Sequence, residues 1–83
     1  MNKLFHEKAL ADCRYWKTQD RKTLNKINRL LQSIERDGPM KGEGKPERLK
    51  HILGYSRRID DTNRLVYDVQ GDTILVKSCR CHY

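Results

Sequence analysis

Long hydrophobic runs are absent from this 83-residue sequence. No stretch approaches the roughly 20 apolar residues that a membrane-spanning helix needs. The first residues, 1–7, also lack the apolar segment on which signal peptides depend. We therefore expect a cytoplasmic protein with no membrane partner.

Cysteine is scarce, and the three cysteines are Cys13, Cys79 and Cys81. An odd number this small does not indicate a disulfide framework, so a reduced setting is expected. The segment Cys79-Arg80-Cys81-His82 offers too few well-spaced ligands for a typical zinc site. We expect no metal there, and Cys79 and Cys81 should pack as small apolar groups on one face of a strand.

Acidic residues are the minority among the charged residues. The sequence has 18 Lys and Arg against 11 Asp and Glu, and its formal net charge is +7. Such a surplus on a small surface favours a polyanionic partner, namely nucleic acid, acidic lipid or an acidic protein. The charge alone does not choose among these partners, and a soluble domain that is merely basic remains an alternative.

Apolar residues recur at helical spacing in the first half of the chain. They predict one helix at about 7–17 and a second helix that ends near residue 37. The apolar stripe of the second helix consists of Leu24, Ile27, Leu30, Leu31 and Ile34. Thr18 or Asp20 can cap this helix, so a helical hairpin is expected. Residues 3–6 form either a short strand or a lead-in to the first helix.

The second half of the chain is rich in turn residues and β-formers. Residues 38–47 contain three Gly and two Pro and should form a long loop. The strands expected after this loop are 54–59, 64–69 and 73–81, with 49–53 ambiguous. The run Ile74-Leu75-Val76 predicts that the last strand is covered on both faces. This order of elements predicts a single α+β domain over residues 1–83, a helical hairpin followed by an antiparallel meander.

RNA cleavage needs few protein groups, because the 2′-hydroxyl already lies beside the phosphorus that it attacks. A base must remove its proton, cations must stabilise the phosphorane, and an acid must protonate the leaving 5′-oxygen. The second half of the chain holds side chains of these types: Glu47, Lys50, His51, Arg57, Arg58, Arg64, Arg80 and His82. Taken singly, each is more often a solvated surface residue than a catalytic one.

Glu47 and His82 are the candidates with a physical reason for their position. Cations flank Glu47 on both sides and favour an ionised carboxylate that can accept a proton. His82 precedes Tyr83, whose α-carboxylate favours the imidazolium that a general acid must be. Tyr83 adds an aromatic plane for base stacking. The competing interpretation is a frayed terminal His-Tyr with no role.

Distinctive short motifs are distributed in order along the whole chain. The central one is Gly-Glu-Gly-Lys-Pro-Glu-Arg-Leu-Lys-His at 42–51. The others are Tyr15-Trp16, Lys26-Ile27-Asn28, Ser56-Arg57-Arg58-Ile59, Arg64-Leu65-Val66-Tyr67, Cys79-Arg80 and His82-Tyr83. Together they resemble the YoeB/Txe toxins of the RelE superfamily, whose central segment reads G-x-G-K-P-E-x-L-K. Residues 52–55 depart from that family, since they are slightly shorter than usual and lack its second aromatic, a Trp.

The resemblance implies a RelE-like microbial RNase fold, with the N-terminal helical hairpin packed on a twisted antiparallel sheet. It implies a toxin of a type II toxin–antitoxin system that contacts 16S rRNA in the ribosomal A site and cuts the bound messenger. No metal or cofactor is implied. A cognate YefM/Axe-type antitoxin would block the toxin, and operator DNA would be reached only through that antitoxin.

The resemblance also assigns roles to individual residues. Glu47 is the implied proton acceptor and His82 the implied proton donor. Arg64 would stabilise the charge of the transition state, and Tyr83 would position the substrate. The expected RNA contacts are Lys45, Lys50, Arg57 and Arg58.

Two other functions remain open at this point. The chain could be a basic module that binds RNA or the ribosome without cutting. It could also act as a co-repressor of its operon when bound to its antitoxin, because an acidic or amphipathic segment can wrap such a basic surface. The sequence does not distinguish a monomer from a homodimer.

Overall fold

Two helices pack on one face of a five-stranded sheet in this computed structural model, which describes residues 1–81. The elements are β1 (Asn2–Phe5), α1 (Glu7–Gln19), α2 (Arg21–Asp37), β2 (Glu47–Arg48), β3 (Tyr55–Arg58), β4 (Arg64–Gln70) and β5 (Thr73–Ser78). The predicted α+β architecture is confirmed. His82 and Tyr83, which carry two of the predicted site roles, lie outside the described residues.

The sheet is mixed, with the strand order β1-β5-β4-β3-β2. Strands β3 to β5 form the predicted antiparallel meander. The short strand β2 pairs antiparallel with β3 and was not predicted, because residue 47 was assigned to the preceding loop. Strand β1 pairs in parallel with β5, so that Lys3 lies opposite Ile74. The prediction of a purely antiparallel sheet was therefore incomplete. The four residues of β1 are too few to show a period in the sequence, and their pairing depends on a strand about 70 positions away.

Strand β5 lies inside the sheet but is covered on one face only. Ile74 and Val76 are fully buried against the core, whereas Leu75 is half-buried. The prediction of cover on both faces was wrong, because the helices pack on the face of Ile74 and Val76. The strand also ends at Ser78, earlier than predicted. The next backbone N–H, that of Cys79, donates to the carboxylate of Asp12 on α1 at 2.9 Å instead of to a neighbouring strand.

The two helices begin and end where their capping residues allow. Asp20 caps α2, since its carboxylate accepts the backbone N–H groups of Lys22 at 3.1 Å and Thr23 at 3.4 Å. Thr18 instead donates back to the carbonyl of Tyr15. The predicted stripe of α2 forms the core with the sheet, and only Leu24 is partly exposed. Within residues 1–81, no helix is both long enough and apolar enough to cross a membrane.

A buried arginine joins the loop after α2 to the sheet. Arg57 is 0% exposed. Its five N–H groups donate hydrogen bonds of 2.6–2.9 Å to the side chains of Ser33 and Tyr67 and the carbonyls of Gly38, Lys41 and Glu43. These bonds use the whole donor capacity of a guanidinium. The prediction that Arg57 contacts RNA was therefore wrong, because no part of this side chain can reach a phosphate.

We expect Arg57→Lys to destabilise the fold by about 2–4 kcal/mol, because an ammonium cannot supply five planar donors and would leave buried carbonyls unpaired. The free energy of unfolding is measured by urea titration. Arg58→Lys is the matched control at the exposed neighbour, and its effect should stay within about 0.5 kcal/mol. If Arg57→Lys lowered the free energy of unfolding by as little as Arg58→Lys, the buried network would not stabilise the protein.

Candidate active site

Three neighbouring strands bring Glu47, Ser56 and Arg64 together. Glu47 on β2 lies directly opposite Ser56 on β3. Arg64, the first residue of β4, donates from Nε to Ser56 Oγ at 2.9 Å, and its Nη2 lies 3.9 Å from Glu47 Oε1. Strand pairing therefore determines where the carboxylate and the guanidinium stand relative to each other.

The two charged groups differ in their exposure. The side chain of Glu47 is 69% exposed and that of Arg64 only 17%. At 3.9 Å the pair is too long for a hydrogen bond, so the carboxylate stays open to accept a proton. Arg64 Nη2 is buried and has no hydrogen-bond partner among residues 1–81. A recessed cation with an unused donor can stabilise an anion more strongly than an exposed one, because less water screens it.

A cavity of about 460 Å³ opens above this pair. Its lining consists of Glu47, Arg48, Leu49, Lys50, His51, Ile52, Ser56 and Arg64. Three Lys or Arg side chains stand against one carboxylate, so the cavity favours an anionic ligand. A second hollow of about 350 Å³ shares residues 48–52 and extends to Gly54. The combined groove is large enough for a nucleotide-sized ligand.

The wall of the groove is the segment that the sequence left ambiguous. Residues 49–53 form bends between β2 and β3, without a helix or strand. The segment is closed by a hydrogen bond from the N–H of Leu49 to the carbonyl of Gly54 at 3.0 Å, and Lys77 Nζ binds the carbonyl of Leu53 at 2.8 Å. Gly54 has φ +128°, and a Cβ there would lie 2.7 Å from the carbonyl oxygen of Tyr67. Only glycine fits this close approach.

Of the predicted RNA contacts, only Lys50 lines the groove. Lys45 is exposed just before β2 and is not among the lining residues. Arg58 is exposed and forms an ion pair with Asp61. Arg57 is buried in the fold, as described above. The sequence thus identified a basic region but not which of its cations share a surface.

Ser56 is a site residue that the sequence reasoning missed. It is 2% exposed and lies between Glu47 and Arg64. Serine is unremarkable in a β-rich segment, and its place opposite Glu47 follows only from the register of β2 and β3. No local pattern in the sequence indicates that Ser56 belongs to the site.

The described chain ends beside the site. The backbone N–H of Arg64 donates to the carbonyl of Cys81 at 2.9 Å. Two residues earlier, the carbonyl of Cys79 accepts the indole N–H of Trp16, also at 2.9 Å. The segment that leads to His82 is therefore held between α1 and the start of β4. Among residues 1–81, no three His, Cys, Asp or Glu side chains are grouped as a metal site would require.

Known sequences place the chain in a defined group. The family described as "YoeB-like toxin of bacterial type II toxin-antitoxin system" matches residues 5–83. Toxin YoeB of Escherichia coli (strain K12) is 42% identical over 85 residues, which cover 100% of both chains. Toxin YoeB of Streptomyces coelicolor is 49% identical over 81 residues, covering 95% of each chain.

Solved structures agree with the sequence matches. The YoeB dimer from Staphylococcus aureus superposes with a TM-score of 0.95 at 45% identity, covering 100% of this chain and 98% of that one. The heterotetrameric YoeB-YefM toxin-antitoxin complex from the same organism contains a chain with a TM-score of 0.92 at 46% identity and the same coverage. YafQ from Escherichia coli shares the fold alone, with a TM-score of 0.75 at 12% identity.

Proposed function

Since the chain belongs to the YoeB-like toxins of bacterial type II toxin–antitoxin systems, we propose that it is a ribosome-dependent endoribonuclease that cuts messenger RNA in the A site. The observation that carries this proposal is the pair of Glu47 and Arg64 in a basic groove. An exposed carboxylate 3.9 Å from a recessed guanidinium supplies a base and an anion-stabilising group side by side. Cleavage of RNA next to its 2′-hydroxyl needs both.

Glu47 is the proposed general base. It removes the proton of the 2′-hydroxyl, and the 2′-oxygen attacks the adjacent phosphorus. The phosphorus–5′-oxygen bond then breaks, leaving a 2′,3′-cyclic phosphate on one fragment. The exposure of Glu47 supports this role, because a substrate hydroxyl can reach the carboxylate without any rearrangement of the strands.

Arg64 is the proposed charge-stabilising group. Its buried Nη2 has no acceptor among the described residues, and a non-bridging phosphoryl oxygen would supply one. Lys50 lines the same groove and adds a second cation for the phosphate. Donors that are already in place need no reorganisation as charge develops on the phosphorane.

His82 is the proposed acid, and Tyr83 the proposed positioning residue. Both follow directly on Cys81, whose carbonyl is hydrogen-bonded to the backbone of Arg64. This bond supports the proposal, because it holds Cys81, the residue before His82 in the sequence, beside Arg64. His82 would give its proton to the leaving 5′-oxygen. The proposed reaction includes no metal ion.

The proposed partners in the cytoplasm are an antitoxin and a second copy of the chain. Relatives from Staphylococcus aureus are known as a dimer and as a YoeB-YefM complex. The composition of the groove supports an acidic antitoxin segment as its ligand. Its rim combines cations with the exposed side chains of Ile52 and Leu53, and Leu53 is 78% exposed. Operator DNA would be reached through the antitoxin.

Glu47→Gln should lower the rate of messenger cleavage by roughly 10²–10⁴-fold, because the amide cannot accept the 2′-hydroxyl proton. His82→Gln should have a loss of the same order. The measurement is primer extension on messenger from a translation reaction that contains the full chain. Glu43→Gln is the matched control, since Glu43 is outside the groove. Stalled but uncut messenger with the wild type would favour a module that binds without cutting.

Ser56→Ala should reduce the cleavage rate about tenfold, because Arg64 Nε loses its acceptor and with it a fixed orientation. Ser56 is a positioning residue, so its effect should depend on Arg64. In an Arg64→Ala background, Ser56→Ala should therefore cause no further loss. Additive losses, or a parallel fall in thermal stability, would contradict this role and indicate a general structural one.

A further inference from the structure

Two cysteines from opposite ends of the chain lie side by side outside the candidate active site. Cys13 is on α1 and Cys79 follows β5, 66 positions later. Their sulfur atoms are 3.8 Å apart. Cys13 is half-buried and Cys79 is fully buried. The proposed cleavage mechanism uses neither thiol.

We propose that Cys13 and Cys79 form an oxidation site, at which a hydroperoxide closes an intramolecular disulfide that fastens α1 to the end of β5. The proposal concerns the stability of the fold and stands independently of RNA cleavage. It rests on the proximity of the two sulfurs, on their unequal exposure and on the backbone contacts that hold Cys79 in place.

The two thiols have different chemical characters. A hydrogen bond from the Cys79 thiol lowers the pKa of Cys13 to about 7, against burial and the charge of Asp12. The same hydrogen bond, together with burial, raises the pKa of Cys79. Near neutral pH, Cys13 therefore has the thiolate character of a nucleophile, while Cys79 remains protonated. Cys13 is also the partner that a small oxidant can reach from solvent.

The disulfide forms in two steps, with hydrogen peroxide as the oxidant. The Cys13 thiolate attacks one peroxide oxygen and breaks the O–O bond, giving a sulfenic acid and, after protonation, one water. The Cys79 sulfur then attacks Cys13, forming the S–S bond as the hydroxyl leaves with the thiol proton as a second water. The two thiols together lose two electrons, which the peroxide gains.

The surroundings favour an intramolecular bond. Two side chains of α1 bind the backbone of Cys79, each at 2.9 Å. The carboxylate of Asp12 accepts its N–H, and the indole N–H of Trp16 donates to the carbonyl of Cys79. The backbone of Cys79 is thus already held to the helix that carries Cys13. The sulfurs need to approach by less than roughly 2 Å to reach bonding distance. The third cysteine, Cys81, instead has its sulfur 3.2 Å from Ser78 Oγ.

The disulfide should stabilise the fold, because it would restrict a long loop in the unfolded chain. The reduced full chain is treated with one equivalent of hydrogen peroxide. We expect a mass loss of about 2 Da, a peptide pair joining Cys13 to Cys79, and a Tm higher by about 10 °C or more. Dithiothreitol should reverse all three changes. Cys81→Ser should respond like the wild type, and Cys13→Ser should show none of these changes.

A second variant tests the order of the steps. Cys79→Ala should leave a sulfenic acid on Cys13, which a cyclic diketone traps and mass spectrometry locates. Linkage of Cys13 to Cys81, disulfide-linked dimers, or oxidation of Cys13 beyond the sulfenic acid in the wild type would each overturn the proposal. A Cys13–Cys79 bond without a rise in Tm would overturn its stabilising role.

Discussion

The buried guanidinium of Arg57 is the interaction on which the placement of the candidate site depends. It donates to three carbonyls of the loop after α2 and to the hydroxyl of Tyr67 on β4. That hydroxyl in turn donates to the carbonyl of Pro39 at 2.6 Å, so the loop is bound to the sheet. This loop leads directly into β2, which is only two residues long. So short a strand gains little from its own pairing. The position of Glu47 therefore rests on a buried charge whose desolvation five hydrogen bonds offset.

The candidate site forms where two anchored segments meet at Arg64. From one side comes β2, fixed through the loop and through a hydrogen bond from the N–H of Arg58 to the carbonyl of Gly44. From the other side comes the segment after β5, held by Asp12 and then bonded to the backbone of Arg64 through Cys81. The proposed base and the charge-stabilising group are thus carried by strands, and the proposed acid by the continuation of an anchored segment. This arrangement suits a reaction that requires precise positions more than unusual residues.

The helices were predictable because packing on a sheet imposes a repeating apolar stripe, and Ile27, Leu30 and Ile34 follow it. The arginine pair at 57–58 shows where prediction from sequence stops. Two adjacent arginines in a strand point to opposite faces, but nothing local says which face is the core. The flanking cations made Glu47 a candidate, but only a motif could assign its role, since its partners come from β3 and β4. Ser56 required the strand register, which no local pattern contains.

The central claim, cleavage by attack of the 2′-hydroxyl, is tested most directly by removing that group from the messenger. The cut position is first mapped with wild-type chain and natural messenger in a translation reaction. A messenger with a single 2′-deoxynucleotide at that position is then supplied. Its cleavage there should be abolished, while the natural messenger yields a fragment ending in a 2′,3′-cyclic phosphate. Cleavage of the deoxy messenger at an undiminished rate would contradict the mechanism.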